Sequence, residues 1–304
     1  MPSHVFVTGT NSGFGRLAAL TLARRGHRVF ATMREPGGKH RVAADELRIA
    51  AQSMPGSISV YAMDLAMGGG VEPACEQVLA DAGHLDVVIN NAGLIAMGLA
   101  ESMTDQQVLY QLDVNVVGHH RVLRALLPSL RERGQGLLVH ISSTLSRMVM
   151  PTFGVHSACA AGLEALVDAY RLELAPLGVE CTIVQPGLHP TGFVDRVQVG
   201  DDYERSASYG PNADAADRMG ELVRQRIGGA TPPNPQIVAD TIAMLVELQP
   251  GTRPERFVVD DHDASQVLRL NDVHRRVQAE LQAKLGAVLG RDDGSGPEPE
   301  GSDG

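Results

Sequence analysis

Seven short runs rich in β-branched and apolar residues recur along this chain, spaced by longer stretches whose apolar residues fall three and four positions apart. The runs are His4–Thr8, Arg28–Met33, Ser57–Met63, Asp86–Ile89, Gly136–Ser142, Val179–Gln185 and Arg256–Val259. Between them lie patterns such as Leu17, Leu20 and Leu22, or Leu163, Leu166, Val167 and Tyr170, the spacing that gathers side chains on one helical face. This alternation predicts an α/β fold, a doubly wound parallel sheet covered by helices on both faces. Parallel neighbours can be joined only by a crossover long enough to hold a helix. Ligands of such sheets bind beyond the carboxyl ends of the strands, where adjacent loops part. The residues just after each strand are therefore where chemistry is sought.

A length of 304 residues suits one α/β domain, here expected to span 1–290. From His189 to about Pro233 the alternation breaks into a stretch rich in Gly, Asp, Ser and Pro, with short helical patterns such as Ala213–Ile227. An insertion here would overhang the strand ends, which predicts a substrate lid. Helices over about Asn234–Leu248 and Ala264–Leu289 complete the domain. The last stretch, Arg291–Gly304, holds five acids against one base and nothing apolar, so it predicts a disordered acidic tail.

A formal net charge of −10 argues against a nucleic-acid partner, and no unbroken apolar run is long enough for a membrane span. The opening Met1-Pro2-Ser3-His4 enters a strand pattern with no charged lead-in, which predicts no secretion signal. Cys75, Cys159 and Cys181 are spaced for neither a disulfide framework nor a zinc site. A cytoplasmic location is expected. The histidines lack metal-ligand spacing, so no metal is expected either.

The residues Thr8-Gly9-Thr10-Asn11-Ser12-Gly13-Phe14-Gly15 follow the first strand and open the first helix. Glycines there permit a tight turn and let the backbone approach a pyrophosphate seated on the helix N-terminus. The second strand ends Thr32-Met33-Arg34. An acid at that point would hold the ribose hydroxyls of NAD, whereas an arginine accommodates the 2′-phosphate of NADP. NADP(H) is the cofactor expected. Asp64, just past the third strand, is placed to accept from the adenine amino group.

Thr8–Gly15, Asp64-Leu65, Asn90-Asn91-Ala92-Gly93, Asn115 within Leu112–Gly118, Ser142-Ser143 and Pro186-Gly187 occur in this order. As a set they resemble the short-chain dehydrogenase/reductase family over about Val5 to Val259. The run Leu112–Arg133 and the Thr32-Met33-Arg34 pattern are similar to its 17β-hydroxysteroid and retinol dehydrogenase branch. The resemblance implies a Rossmann fold, hydride transfer between a nicotinamide and a small lipophilic alcohol or carbonyl compound, and a homo-oligomer. It implies that Asn91, Ala92 and Gly93 brace the sheet beside the adenosine, and that Thr191 contacts the nicotinamide carboxamide. The cofactor-binding set so read is Gly9, Asn11, Ser12, Gly13, Phe14, Gly15, Arg34, Asp64, Leu65, Asn91, Ala92, Gly93, Pro186, Gly187 and Thr191.

In that family a Ser holds the substrate oxygen, a Tyr thirteen positions later exchanges its proton, and a Lys four further on lowers the Tyr pKa. An Asn extends a proton relay. Here Ser143 and Asn115 fit, but His156 stands where Tyr is expected and Ala160 where Lys is expected. The two changes are chemically consistent. An imidazole titrates near about 6.5 without help, and a nearby Lys would oppose its protonated form. The catalytic set is thus Ser143, His156 and Asn115, with His156 as acid or base. Three readings follow: an oxidoreductase with His in place of Tyr; a non-redox enzyme on the same fold, such as an isomerase, dehydratase or cyclase; and an inactive nucleotide-binding regulator. His189 stands as a second candidate in the same cavity. His140 is expected to be a satisfied core histidine, and Cys159 a small buried hydrophobe. Leu94–Met97 and Arg147–Met150 suggest an apolar pocket.

Overall fold

The computed structural model describes residues 2–192, 196–260 and 264–288. The strands are β1 (His4–Val7), β2 (Arg28–Met33), β3 (Ser57–Ala62), β4 (Val87–Asn90), β5 (Ala96–Met97), β6 (Gly136–Ile141), β7 (Val179–Pro186), β8 (Gln198–Val199) and β9 (Arg256–Val259). The helices are α1 (Gly13–Arg24), α2 (Arg41–Ala51), α3 (Val71–Ala82), α4 (Asp105–Leu112), α5 (Gly118–Arg133), α6 (Gly154–Leu174), α7 (Tyr203–Ser208), α8 (Ala215–Ile227), α9 (Gln236–Glu247) and α10 (Ala264–Val288). Seven strands form one parallel sheet in the order β3-β2-β1-β4-β6-β7-β9. The order reverses between β1 and β4, which is the switch point where such a sheet opens a crevice.

Both faces of the sheet are covered, and the strand sequences show why. Alternate side chains serve opposite layers, so Phe6, Val88 and Leu138 pack with α3 and α5, while Val5, Val7, Ile89 and Val139 pack with α1 and α9. All four residues of β4 are buried, the near-continuous apolar pattern of a strand with helices on either side. On α5, Val122, Leu123, Leu126, Leu127 and Leu130 form the buried stripe.

All seven expected strands are present, with ends shifted by a residue in several cases. The short pair β5 and β8 was not expected; two residues are too few to show a period. Gln107 Nε2 donates to the Val199 carbonyl at 2.7 Å and Gln111 Nε2 to Gln198 Oε1 at 2.8 Å, which fastens β8 to α4. Residues 196–233 carry β8, α7 and α8, the last at the expected helical pattern Ala213–Ile227. The segment Arg291–Gly304, read as a tail, lies outside the described residues.

Beneath the loop that follows β6 lies a buried charge network. Glu164 of α6 is 2% exposed and its Oε1 accepts from Ser142 Oγ, Ser146 Oγ and Gln185 Nε2. Its Oε2 meets Arg256 Nε at 3.0 Å and Arg147 Nη2 at 3.1 Å, and Arg256 also pairs with Asp168. Arg147 Nε donates to Asn271 Oδ1 at 3.0 Å, which ties α10 to the same loop. Glu164→Gln would leave Arg256 with Asp168 alone and Arg147, otherwise bonded to Asn271, beside a neutral amide; losing one partner of a buried pair costs about 3–5 kcal/mol. Urea denaturation of the variant at neutral pH should show a loss of that order with an unchanged m-value.

Candidate active site

A cavity of about 930 Å³ opens at the carboxyl ends of the strands, bounded by the glycine turn, the loops after β2, β3, β4, β6 and β7, and α8. The glycine turn is held open by the loop after β4. Asn91 Nδ2 donates to the carbonyls of Thr8 at 2.9 Å and Gly9 at 3.3 Å, while Thr8 Oγ1 accepts from the Asn91 and Ala92 amides, each at 2.9 Å. Gly9 has φ +71° and lies so close to Ala92 that a Cβ would fall 2.8 Å from its Cα. No larger residue fits there. Across the crevice, a Cβ on Gly13 would sit 3.3 Å from Thr191 Cβ, so the loop after β7 meets the start of α1.

Ser12 makes no side-chain cap on the first turn of α1, and that turn holds no acid. Its amide groups and the positive end of the helix dipole therefore face the cavity with nothing negative against them. Arg34, Lys39 and Arg196 also line the cavity. Arg34 is 3.9 Å from Asp64, and Arg196 Nη1 donates to Ser12 Oγ at 2.8 Å, over the turn itself. Their joint field is felt at His40, whose pKa is lowered by burial, then by Arg34 and Lys39, with Arg196 also contributing. These groups suit an anion of several phosphates. Sequence reasoning found Arg34 but missed Lys39, which lies outside any element, and Arg196, which comes from the remote insertion.

The other residues read as cofactor-binding, Asn11, Phe14, Leu65, Gly93, Pro186 and Gly187 among them, line the same cavity; of the set, Gly15 alone is set back. A Cβ on Gly15 would strike the Gly9 carbonyl at 2.4 Å, so its part is to let α1 close on the turn. Asp64 also accepts from the Ala66 amide at 3.1 Å, which makes it a turn residue as well as a cavity residue.

Toward the deeper end lie Ser143, His156, Ala160, Cys159 and Asn115. Asn115 sits in a π-helical turn, Asp113–Val117, between α4 and α5; such a turn re-aims a side chain that a regular helix would carry elsewhere. It clasps Leu94, accepting from its amide at 2.7 Å and donating to its carbonyl at 2.9 Å, and donates to Gln111 Oε1 at 3.0 Å. Ser143 Oγ accepts from the Leu145 amide at 3.1 Å, leaving its own proton free for another partner. Among the described residues no hydrogen bond joins Ser143 to His156.

His156 departs from the sequence expectation. Burial pushes its imidazole down to about 4, against a smaller opposing effect of the Leu94 backbone. Its Nδ1 is buried without a partner. An unperturbed titration near neutrality was expected, but packing on α6 withholds the water that would stabilise the imidazolium. The ring is neutral at physiological pH. Cys159 is buried and its thiol pushed up by that burial, in keeping with a small core residue.

The other histidines divide. His189 is buried, its Nδ1 is 3.0 Å from the Gly187 carbonyl and its ring stands edge-on to Phe14 at 5.5 Å, so it braces the loop after β7 and lines the cavity. His140 does not line the cavity. It is in the core, as expected, but it is not satisfied: neither ring nitrogen has a hydrogen-bond partner. His119, which does reach the cavity, lies 6.0 Å from it and donates through Nε2 to the Ala92 carbonyl at 2.7 Å. Asn90, in register with His140 on the neighbouring strand, is likewise unpartnered. Strand alternation turns these residues onto the α5 layer, where apolar neighbours offer them nothing.

The remaining wall is apolar. It is built from Leu94, Ile95, Met148, Met150, Phe153 and, from α8, Met219, Leu222 and Val223. Arg147, expected among the apolar group, turns instead into the Glu164 network. A further cluster, His4, His84 and Asp86, gathers at the opposite, amino end of the sheet with metal-like spacing that no linear pattern showed. Arg28 stands 3.1 Å from His4 Nε2 and Arg133 3.0 Å from Asp86 Oδ1, so positive charge already occupies the approaches to it. No helix of the described residues is long and apolar enough to cross a membrane.

Comparison with known proteins places this geometry in context. The family profile described as short chain dehydrogenase matches residues 3–201. A 3-ketodihydrosphingosine reductase of Bacteroides thetaiotaomicron is 32% identical over 216 residues, covering 71% of this chain and 72% of that protein. Human 17-beta-hydroxysteroid dehydrogenase type 1 is 33% identical over 64% of this chain, a match that spans only 58% of the human protein. A short-chain dehydrogenase structure from Streptomyces avermitilis superposes with a TM-score of 0.73 at 28% identity, over 96% of this chain and 99% of that one. A metagenomic short-chain oxidoreductase solved with NADP shares the fold at 23% identity and a TM-score of 0.64, over 84% of this chain and 96% of that one.

The buried histidines give stability a pH dependence with a definite sign. His119 and His156 are pushed down to about 4 and His140 well below 6.5. Below pH 6.5 the unfolded chain therefore binds protons that the folded chain refuses. Stability should be fully present above that value and fall as pH drops toward 4, each group contributing about 1.4 kcal/mol per pH unit. Replacing His140 with Leu removes one such group and two unpaired nitrogens. Denaturation midpoints between pH 7 and pH 4.5 should then fall less steeply than in the parent.

Proposed function

This chain belongs to the short-chain dehydrogenase family, and from that premise we propose that it is an NADP(H)-dependent oxidoreductase of lipophilic alcohols or carbonyl compounds, with His156 working in the family's tyrosine position. The observation that carries the reading is that the glycine turn, Arg34, Ser143 and His156 all line one continuous cavity. The uncapped start of α1 and the Arg34–Lys39–Arg196 group suit a pyrophosphate and a 2′-phosphate. Asn91, Ala92, Gly93 and Asp64 flank the place left for an adenosine, and Thr191 the place for a nicotinamide. Bound NADP⁺ supplies the hydride acceptor.

The chain's own residues then have distinct tasks. Ser143 Oγ–H donates to the substrate oxygen and fixes its position. His156, neutral at pH 7, accepts the hydroxyl proton and becomes an imidazolium; a bound NADP⁺ would take the carbinol hydride, which would leave a ketone from a secondary alcohol. Asn115 holds the Leu94 segment that shapes the deep wall. With a pKa of about 4, only about one imidazole in a thousand is protonated at pH 7. His156 therefore meets the substrate in its neutral, proton-accepting form, as a weaker base than an unburied imidazole. Ala160, in place of the family's Lys, leaves space that substrate or water fills.

The absent Lys favours one further reading, non-redox chemistry on the bound substrate. Product formed from a lipophilic alcohol panel without any change in nicotinamide absorbance would establish that reading and remove the first. Under the first, oxidation by NADP⁺ should be flat through neutral pH and fall only as pH approaches the His156 pKa. His156→Ala should lower kcat by roughly 10²–10⁴-fold, the usual contribution of a general base; unchanged turnover would exclude the role.

Cofactor preference is tested separately. Calorimetric titration should show tighter binding of NADPH than NADH, and Arg34→Ala should narrow the gap by roughly tenfold, the worth of one charge-assisted contact. Arg196→Ala should weaken both nucleotides alike if it serves the pyrophosphate over Ser12. Equal affinity of the parent for the two nucleotides would remove the NADP assignment.

A further inference from the structure

One face of α8 borders the cavity. Met219, Leu222, Val223 and Arg226 stand at i, i+3, i+4 and i+7 of a single helical stripe, and all four line the cavity. The first three continue the apolar wall of Leu94, Met148 and Phe153. The fourth is a cation.

Among the described residues Arg226 has no counterion, unlike the other arginines on α7 and α8. Arg218 is paired with Asp214, Arg224 with Glu221 at 3.2 Å, and Arg205 with Glu101 at 2.9 Å and Asp202 at 2.8 Å. Among the described residues Arg226 makes neither an ion pair nor a hydrogen bond. The chain has 36 acids against 26 bases, but α8 itself holds only Asp217 and Glu221, and Glu221 is taken by Arg224. The stripe turns Arg226 toward the cavity. It comes from α8, whereas Arg34 and Lys39 follow β2 and Arg196 lies against Ser12 of the glycine turn.

We propose that Arg226 is the anion anchor of the substrate site, so that the substrate is an amphiphile with an apolar body and a carboxylate, sulfate or phosphate at the end remote from the reacting carbon. The proposal rests on the reading of the cavity as the site of a lipophilic substrate. Arg226 lines the cavity yet is exposed, which suits a long basic side chain with its stem on apolar surface and its charged head in water. A planar guanidinium binds such a group through two parallel hydrogen bonds. A cationic amphiphile of the same length would meet like charge and be rejected.

Three probes of equal chain length separate the possibilities: dodecanoate, dodecanol and dodecylamine, titrated calorimetrically at neutral pH below their micelle concentrations into the full chain, with and without NADP⁺. Dodecanoate should bind roughly tenfold more tightly than dodecanol, the usual worth of a charge-assisted bond at a partly wet site, with dodecylamine weakest. Added salt should shrink the difference. Arg226→Gln should bring dodecanoate down to the level of dodecanol while leaving dodecanol and NADPH unchanged, and Arg226→Glu should reverse the preference toward the amine. Equal binding of acid and alcohol by the parent, or no binding of any probe, overturns the proposal. So does a loss of NADPH affinity in Arg226→Gln, which would give the residue to the cofactor. Turnover is scored independently: a carboxylate preference without hydride transfer keeps Arg226 and removes the redox reading. Oxidation of neutral alcohols with no anion preference does the reverse.

Discussion

The hydrogen bonds between Thr8 and Asn91 are the constraint on which the site depends. Where β1 and β4 part at the switch point, their last backbone groups lose the partners that the sheet supplied. Thr8 Oγ1 takes the two amides of Asn91 and Ala92, and the Asn91 side chain takes the carbonyls of Thr8 and Gly9. Without those bonds, buried donors and acceptors would go unpaired at a cost of about 1–3 kcal/mol each. With them, the two loops are held apart at a set distance and the start of α1 is aimed into the gap. Gly9 and Gly15 are required because backbone stands where a Cβ would go.

Charge is handled in opposite ways on the two sides of the loop after β6. Below it, Glu164, Arg147, Arg256 and Asp168 are paired and buried, and their work is to hold Ser142 and Ser146 on either side of Ser143. Above it, among the described residues, the cavity carries Lys39, Arg196 and Arg226 without carboxylate partners and Arg34 only loosely beside Asp64. The contrast is the physical basis for proposing anionic ligands in that cavity. The helix dipole of α1 points the same way.

Desolvation sets the character of the catalytic end. His156, half-buried on α6 where it lines the cavity, is held near pKa 4 by desolvation, so its ring is neutral at physiological pH. This differs in kind from the family's usual arrangement, in which a cation pulls a phenol downward. At His156 the shift comes from desolvation, with only a backbone group of Leu94 acting against it. His119, His140 and Asn90 show the other side of that packing: polar groups on a layer of Val and Leu, with nitrogens that no protein atom satisfies.

Much of this protein was decided locally and so could be read from its residues in order. The period of apolar positions determined the strands, the helices and the covering of both sheet faces, because each depends only on which side chains fall on one face. The glycine turn was legible for the same reason, since a strand, a tight turn and a helix start occupy consecutive positions. The replacement of Tyr and Lys by His156 and Ala160 was likewise visible by counting. What the order of residues left open depends on distance through space. The pKa of His156 follows from the packing of α6 against the loop after β4. The unpaired state of His140 follows from the layer it faces, and Lys39, Arg196 and Arg226 join one cavity only because the sheet brings their segments to the same edge. Periodicity reports which face a side chain takes; only the packed structure decides what meets it there, and burial and charge act across that meeting rather than along the chain.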